Sequence, residues 1–212
     1  MENFAPGEQR HRLVALLGGS LHQMPRVLKE YSKRYPEVSL DLHFMDSEIA
    51  HEQIVQGNLE LGIITLAPKP HERLASIGIW QDQLAFMCAR DHPLARVDKV
   101  FIDDITEYPA ILPDKSTFTG RIVKTMFEER GLNLDISMST NYLETIKMLI
   151  SVGLGWSVLP VSMLDDTVQV INVPNVIMTR DLGVIHHVQR TLSNAGQAFL
   201  DLLAEQADIT KG

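Results

Sequence analysis

The stretch Val152-Gly-Leu-Gly-Trp-Ser-Val-Leu-Pro160 decides the fold class of this chain. A helical pattern that begins near Tyr142 stops at Gly153, a second glycine allows a sharp turn, and an apolar run follows at once. Glycine is the usual residue in the left-handed position that ends a helix, and proline stops a strand because it cannot donate to the ladder. The stretch therefore predicts a helix-to-strand step of an α/β domain.

The sequence before this stretch predicts a first set of parallel α/β units. An apolar run at 12–17 is a strand, and a helix with an apolar stripe follows from Leu21 to Tyr35. Apolar and polar residues alternate over 38–45, which predicts a strand with one buried face. A helix begins at Asp46 or Ser47 and closes at Gly57, and a buried strand covers 61–66. Strands that alternate with helices indicate a parallel sheet.

The remaining sequence predicts a second set of α/β units and a returning C-terminal segment. The expected strands are two within 74–90, separated by the polar residues 81–83, and single strands at 109–113, 134–140, 156–159, 168–173 and 181–189. Helices are expected at 116–130, at 142–152 and after the cap Ser193. Two such sets suggest two lobes: a linker at 1–10, lobe I at 11–81 plus 167–212, and lobe II at 82–166. The chain is expected to cross between lobes near Gln81–Gln83 and near Met163–Val168.

Composition limits the classes of protein to which the chain can belong. A net charge of −8 and a pI near 5.4 argue against direct binding to a phosphate backbone. No apolar run is long enough to span a bilayer, and the amino terminus lacks the pattern of a signal peptide. Cys88 is the only cysteine, so an internal disulfide cannot form, and packing as a small apolar residue is its favoured role. We therefore expect a cytoplasmic protein.

Sequence signatures of catalysis, metal binding or cofactor binding are absent. His51-Glu52 lacks a second histidine four residues on, and His186 and His187 are neighbours on an expected strand, where side chains point to opposite faces. Trp80 and Trp156 lie in apolar strands, which favours core packing, with a place in a ligand cleft as the alternative. We predict no enzyme activity, no metal site and no cofactor.

Candidate ligand-binding residues follow from the expected topology. In open α/β sheets, ligands bind beyond the carboxyl ends of strands, where loops lead into helix N-termini. Three such places carry glycines or hydroxyls: Gly18-Gly19-Ser20, Thr65, and Ser116-Thr117 after Lys115. Glycine admits a close backbone approach, and exposed helix N–H groups favour an anion. Helix capping is an equally good explanation for Ser20 and Ser116.

Nearly the whole chain, from about Arg12 to Ala204, resembles the effector-binding domain of LysR-type transcriptional regulators. The matching segments occur in the family's order: Pro25, Tyr35-Pro36-Glu-Val-Ser-Leu40, Gln56-Gly-Asn-Leu-Glu-Leu-Gly-Ile63, His92-Pro-Leu-Ala95, Val152 to Pro160, and Arg190-Thr-Leu-Ser193 followed by Ala198-Phe199. The chain departs from the family at Gly18 and Gly19, where Ser or Thr is common, and at Glu60, where Asp is commoner.

The resemblance implies a two-lobe Rossmann-like fold of the type II periplasmic-binding-protein kind, with two crossover strands and a small effector bound between the lobes. It also implies a homodimer or tetramer formed through lobe I, with residues 38–45 at an edge. DNA would be bound only by an N-terminal winged helix-turn-helix outside this sequence. Our leading hypothesis is therefore the effector-sensing and oligomerisation domain of a bacterial transcription regulator, with an organic or aromatic anion as effector.

Two alternatives share the expected fold. An extracytoplasmic solute-binding protein of a transport system predicts a signal peptide or a lipidation cysteine. An enzyme on the same scaffold predicts clustered catalytic side chains in the cleft.

Overall fold

The chain folds into alternating helices and strands. The computed structural model describes the backbone of residues 13–14 and all of residues 23–207. The helices are α1 Met24–Arg34, α2 Ser47–Gln56, α3 Ile102–Ile105, α4 Phe118–Glu128, α5 Leu143–Ser151 and α6 Asn194–Glu205. The strands are β1 Leu13–Val14, β2 Leu61–Thr65, β3 Leu74–Ala89, β4 Ala110–Leu112, β5 Ile136–Ser139, β6 Trp156–Pro160, β7 Val168–Val170 and β8 Met178–His187. No described helix has the length and apolar character that a membrane span requires.

Two compact units make up the chain. Unit 1 comprises Met1–Gln81 and Asp181–Gly212, and unit 2 comprises Asp82–Arg180. The second crossing differs from the expected one near Met163–Val168, and residues 167–180 group with unit 2 rather than with lobe I. The physical reason is strand pairing, because β7 is antiparallel to the end of β3, where Met87 faces Val170. Val168 also packs in the same apolar cluster as Met87.

Unit 1 is a sheet covered by helices. β1 is parallel to β2, and β2 is antiparallel to β8. Helices α1 and α6 pack on the face that carries Leu61 and Trp80, with the Tyr31 and Phe199 rings 4.9 Å apart at its centre. The Tyr31 hydroxyl donates to the Ala195 carbonyl at 2.8 Å, which satisfies its polar end inside the core. This hydrogen bond ties α1 to α6.

The strand expected over 38–45 is wrong. Within the described residues this segment contains only an isolated bridge at Phe44, whose side chain is 66% exposed. Leu40 and Leu42 still lie against the core of unit 1, as the alternation predicted. Side chains thus follow a strand-like pattern, although the hydrogen-bonded ladder that defines a strand is not formed here.

Unit 2 contains a sheet with a core on each face. β6 is antiparallel to β3 and parallel to β4, and β4 is parallel to β5. On one face Phe86, Phe127 and Trp156 form an aromatic group, with centroids 5.6 to 6.1 Å apart. On the other face α5 buries Ile146 and Ile150. Both faces are covered, which explains why every residue of β6 is buried.

The helix-to-strand step around Gly153 is confirmed. Gly153 has φ +84°, the left-handed conformation that ends α5, and β6 begins at Trp156. Gly155 lies so close to the preceding segment that a Cβ there would be 2.2 Å from the Pro109 carbonyl oxygen. The Trp156 amide and indole N–H groups bind the carbonyls of Pro109 and Tyr108. These glycines serve helix termination and close packing.

The region expected to hold two strands, 74–90, is the single strand β3. Its polar residues continue the strand because β8 supplies matching polar groups. In unit 1 the Gln81 amide donates to Asp181 Oδ1 at 2.9 Å. In unit 2 Asp82 accepts from Arg180. Since these side chains have partners, no turn is needed to expose them to water.

Candidate effector-binding site

Thr65 lies at the carboxyl end of β2 in unit 1. Its side chain is buried, with 3% of its surface exposed. The Thr65 N–H donates to the hydroxyl of Ser47, the first residue of α2, at 3.0 Å. This bond fixes the end of β2 against the first turn of α2. The other candidates for this unit, Gly18, Gly19 and Ser20, lie outside the described residues.

Ser116 and Thr117 share the loop that leads into α4 in unit 2. Thr117 is the N-cap of α4: its hydroxyl accepts from the Gly120 N–H at 2.9 Å and donates to the Asp114 carbonyl at 2.7 Å. The Ser116 N–H donates to the Asp114 carboxylate at 2.8 Å. Both residues therefore hold the loop in shape.

Asp114 organises this loop electrostatically. Hydrogen bonds from the side chain and the N–H of Ser116 hold the pKa of the Asp114 carboxyl below its ordinary value. The one proton of the Thr117 hydroxyl is already donated, so toward a ligand this hydroxyl offers an acceptor only. Gly120 lets the loop lie close to α4, because a Cβ there would be 2.1 Å from the Asp114 carbonyl oxygen. Ser116 is exposed at the surface of the loop.

A buried ion pair next to this loop was not predicted. In unit 2 the Arg180 Nε and Nη2 atoms donate to Asp82 Oδ2 at 3.0 and 2.7 Å, and Nη1 lies 3.4 Å from the hydroxyl of Thr119 in the first turn of α4. Arg180 and Asp82 are only 3% and 9% exposed. Burial lowers the pKa of the Arg180 guanidinium, and the Asp82 carboxylate opposes that shift. The partners are 98 residues apart, so local pattern could not join them.

The histidine of the His92-Pro-Leu-Ala95 segment has a structural role. Its Nδ1 atom accepts from the Leu94 N–H at 3.2 Å and so caps a 3-10 turn over Pro93–Arg96. Burial lowers the pKa of His92, which keeps the ring neutral and able to accept. The ring lies 5.1 Å from that of Tyr108. This segment is therefore part of the scaffold.

Both tryptophans belong to the cores. Trp80 and Trp156 are 2% and 0% exposed, and their indole N–H groups donate to backbone carbonyls. The prediction of core packing is confirmed for both. In the part of the chain that the structure describes, His, Cys, Asp and Glu side chains form no group of three or more able to hold a metal ion.

Comparison with known proteins identifies the family. The model of the LysR substrate binding domain matches residues 6–208. The chain therefore belongs to the LysR substrate-binding domain family, as the ordered sequence segments predicted. An uncharacterized HTH-type transcriptional regulator, YfeR of Shigella flexneri, is 24% identical over 200 residues, covering 93% of this chain and 65% of its own length. The HTH-type transcriptional activator CmpR of Synechocystis is 26% identical over 200 residues, with 91% and 64% covered.

Solved structures share the fold. The regulatory domain of CcmR from Synechocystis PCC6803, in complex with 2-PG, matches with a TM-score of 0.82 at 24% identity, covering 93% of this chain and 98% of that one. The effector-binding domain of QuiR, in complex with shikimate, matches with a TM-score of 0.84 at 16% identity, covering 95% and 99%. The predicted α/β fold of the periplasmic-binding-protein kind is confirmed. This chain spans about two thirds or less of the curated relatives it matches.

Proposed function

We propose that this chain senses a small organic or aromatic anion on behalf of a DNA-binding transcription regulator. The match of the family model over 6–208 carries the proposal, and the named relatives are transcriptional regulators. A chain of net charge −8 suits a sensing role, with DNA bound by a separate winged helix-turn-helix. We propose a cytoplasmic location and no catalytic activity. The relatives give no support to a transport role.

The effector contacts we propose are Gly18, Gly19, Ser20 and Thr65 in unit 1, and Ser116 and Thr117 in unit 2. In unit 2 we propose Ser116 as the direct contact because its side chain is exposed. Its hydroxyl donates to the Asp114 carboxylate and must turn away from it to donate to an anion, while Thr117 holds the loop as the α4 cap. The positive end of α4 and the neighbouring Lys115 favour an anionic group at this loop. The effector acts on the regulator by binding one arrangement of the domain more tightly than another, because only differential affinity shifts an equilibrium.

A thermal-shift screen of small metabolites tests the function. A ligand at 100 times its Kd stabilises the folded state by about 2.7 kcal/mol, which raises Tm by about 5–10 °C for a domain of this size. Organic anions should give the positive shifts. A screen in which neutral sugars or amines stabilise the domain, and anions do not, would contradict the proposed effector class.

The contact at Ser116 is tested with the ligand found in that screen. Ser116→Ala should weaken binding by less than about tenfold, because the hydroxyl exchanges its hydrogen bond to Asp114 for one to the anion. Ser151→Ala is the matched control, since Ser151 is also a serine of unit 2 whose hydroxyl binds a nearby carbonyl, that of Met148. Equal affinities for both variants would place the site elsewhere.

We also propose that the domain forms a homodimer or tetramer through unit 1. The exposed Phe44 side chain of segment 38–45 supports this, since contact with a second copy would remove its apolar surface from water. Phe44→Glu should shift the mass measured by light scattering toward the monomer. An unchanged mass would rule out this segment as the interface.

A further inference from the structure

Two sequence segments of unit 1 meet and form an open surface cavity that the proposed effector site does not use. Arg190 Nη1 donates to the Gly57 carbonyl at 2.7 Å, and the Ser193 N–H donates to Glu60 Oε1. The cavity, which we call the clasp cavity, measures ≈ 340 Å³ and is lined by residues 57–60, His187 and residues 190–193. Thr65 lies at the other end of β2, about 16 Å away at the rise of a strand. The clasp cavity is thus distinct from the edge marked by Thr65.

The Arg190 guanidinium lies directly against the backbone of Gly57. Gly57 ends α2 with φ +73°, and a Cβ at this position would be 2.0 Å from Arg190 Cζ. A larger residue here would push the exposed guanidinium aside, and the left-handed conformation of residue 57 also favours glycine. A guanidinium carries five N–H groups, and within the described residues Arg190 uses one of them and forms no ion pair. Most of its hydrogen-bonding capacity and its charge remain available to a ligand.

The nearby carboxylate of Glu60 is matched elsewhere. It accepts from the Ser193 N–H at the start of α6 and lies over Gly196, where a Cβ would be 2.6 Å from Oε1. A helix N-terminus carries partial positive charge, so a carboxylate is stabilised there. Glu60 therefore occupies the place at the N-terminus of α6 where an anion would otherwise be stabilised. The charge left without a counterpart at the clasp cavity is that of Arg190.

His187 supplies a second donor and two leucines supply an apolar wall. His187 Nδ1 accepts from the Gln189 N–H at 3.2 Å, so the other ring nitrogen, Nε2, carries a proton. The ring is 9% exposed. Leu59 and Leu192 line the same cavity. A cationic fork, an N–H donor and an apolar surface form one binding surface.

We propose that the clasp cavity binds a small monocarboxylate with a compact apolar body. The carboxylate pairs with the Arg190 guanidinium, which matches its geometry with two parallel N–H···O bonds, and with the His187 Nε2–H. The apolar body lies against Leu59 and Leu192. The domain would then hold two ligands, one at each end of β2. The proposal does not depend on the identity of the effector.

The test uses 3-methylbutanoate and its neutral isostere 3-methylbutanamide, titrated into the whole chain and followed by NMR shifts of the His187 ring. The acid should bind with a Kd in the range of about 1–10 mM, and the amide about tenfold more weakly, because it lacks the charge. Sulfate should bind more weakly than the acid, since it has no apolar body. An amide or a sulfate that binds as tightly as the acid would overturn the proposal, as would the lack of any shift.

Arg190→Gln should weaken binding of the acid about tenfold, and Arg190→Lys should restore part of it. The matched control is Arg130→Gln, because exposed Arg130 also holds a backbone carbonyl, that of Met126, at 2.8 Å. Arg130→Gln should bind the acid as the parent does. Thermal unfolding of each variant checks that it is folded. If folded Arg190→Gln binds the acid with parental affinity, the carboxylate is not bound by Arg190 and the proposal is wrong.

Discussion

Removal of the Asp82 carboxylate should destabilise unit 2 strongly. In Asp82→Ala the buried Arg180 guanidinium loses both of its hydrogen bonds to Oδ2, at 3.0 and 2.7 Å. Only 3% of the Arg180 side chain reaches solvent, so water cannot replace the lost partner. Breaking a buried pair by removing one member costs about 3–5 kcal/mol, because an uncompensated charge remains.

A double variant that replaces both members of the ion pair tests whether the loss of stability comes from the unpaired charge. Asp82→Leu combined with Arg180→Met removes both charges and fills the site with apolar side chains. Replacing a whole buried pair in this way is often neutral or stabilising by about 1–4 kcal/mol. We therefore expect the double variant to be more stable than Asp82→Ala. The difference combines the cost of the unpaired guanidinium with the packing of the two apolar side chains.

Urea unfolding followed by tryptophan fluorescence is a suitable assay, since Trp156 lies in the core of unit 2. A loss of about 3–5 kcal/mol corresponds to a fall in Tm of about 6–20 °C for a domain of this size. The matched control is Glu128→Ala, which breaks the exposed Lys124–Glu128 pair and should change stability far less. A loss below about 1 kcal/mol in Asp82→Ala would refute the reasoning, because that is the size expected of an exposed pair.

Three further predictions concern single side chains. Burial raises the pKa of the Cys88 thiol to about 11, so a thiol reagent at pH 8 should label the native protein only as fast as it unfolds; rapid labelling would contradict this. Burial lowers the pKa of His92 below its ordinary 6.5, so the unfolded state binds more protons and Tm should fall as pH drops below about 6.5, less so in His92→Asn. Thr117→Ala should cost about 1 kcal/mol in urea unfolding by loss of the α4 cap, whereas Thr117→Ser should keep most of it.

Local sequence signals predicted the elements whose ends are determined by adjacent residues. Gly57 ends α2 in the left-handed conformation, and the Ser193 hydroxyl caps α6 by accepting from the Gly196 N–H. Gly153 and Gly155 behave as their sequence context predicted. In each case the residue is required by the backbone conformation or by a hydrogen bond within a few positions of it. Such features can be predicted from the sequence alone.

Elements that depend on distant partners were not predicted correctly. The polar residues Gln81 and Asp82 were expected to separate two strands, yet β3 continues through them because Asp181 and Arg180 lie opposite on β8. The pairing of β7 with the end of β3 places residues 167–180 in unit 2 and so moves the second crossing to 180/181. A charged residue in a strand therefore has two explanations, exposure or a buried partner, and sequence cannot choose between them when the partner is about a hundred residues away.

The candidate site shows a limit of another kind. Ser116 and Thr117 were chosen because hydroxyls donate to ligands, and the structure directs the Thr117 proton to the Asp114 carbonyl. Residue type gives the number of donors, but the fold decides which of them are already used. Arg190 is the opposite case. Only one of its five N–H groups has a partner among the described residues, so the others can bind a ligand.

Several residues in the segments that identify the family cap turns or allow close approach of the backbone. His92 caps a 3-10 turn, and Gly155 admits the Pro109 carbonyl. Gly57 ends α2 in the left-handed conformation. None of these needs is altered by a change of effector, so such residues can stay constant across regulators that sense different molecules. We therefore expect that variants at the proposed α4-loop contact change ligand preference without changing the fold.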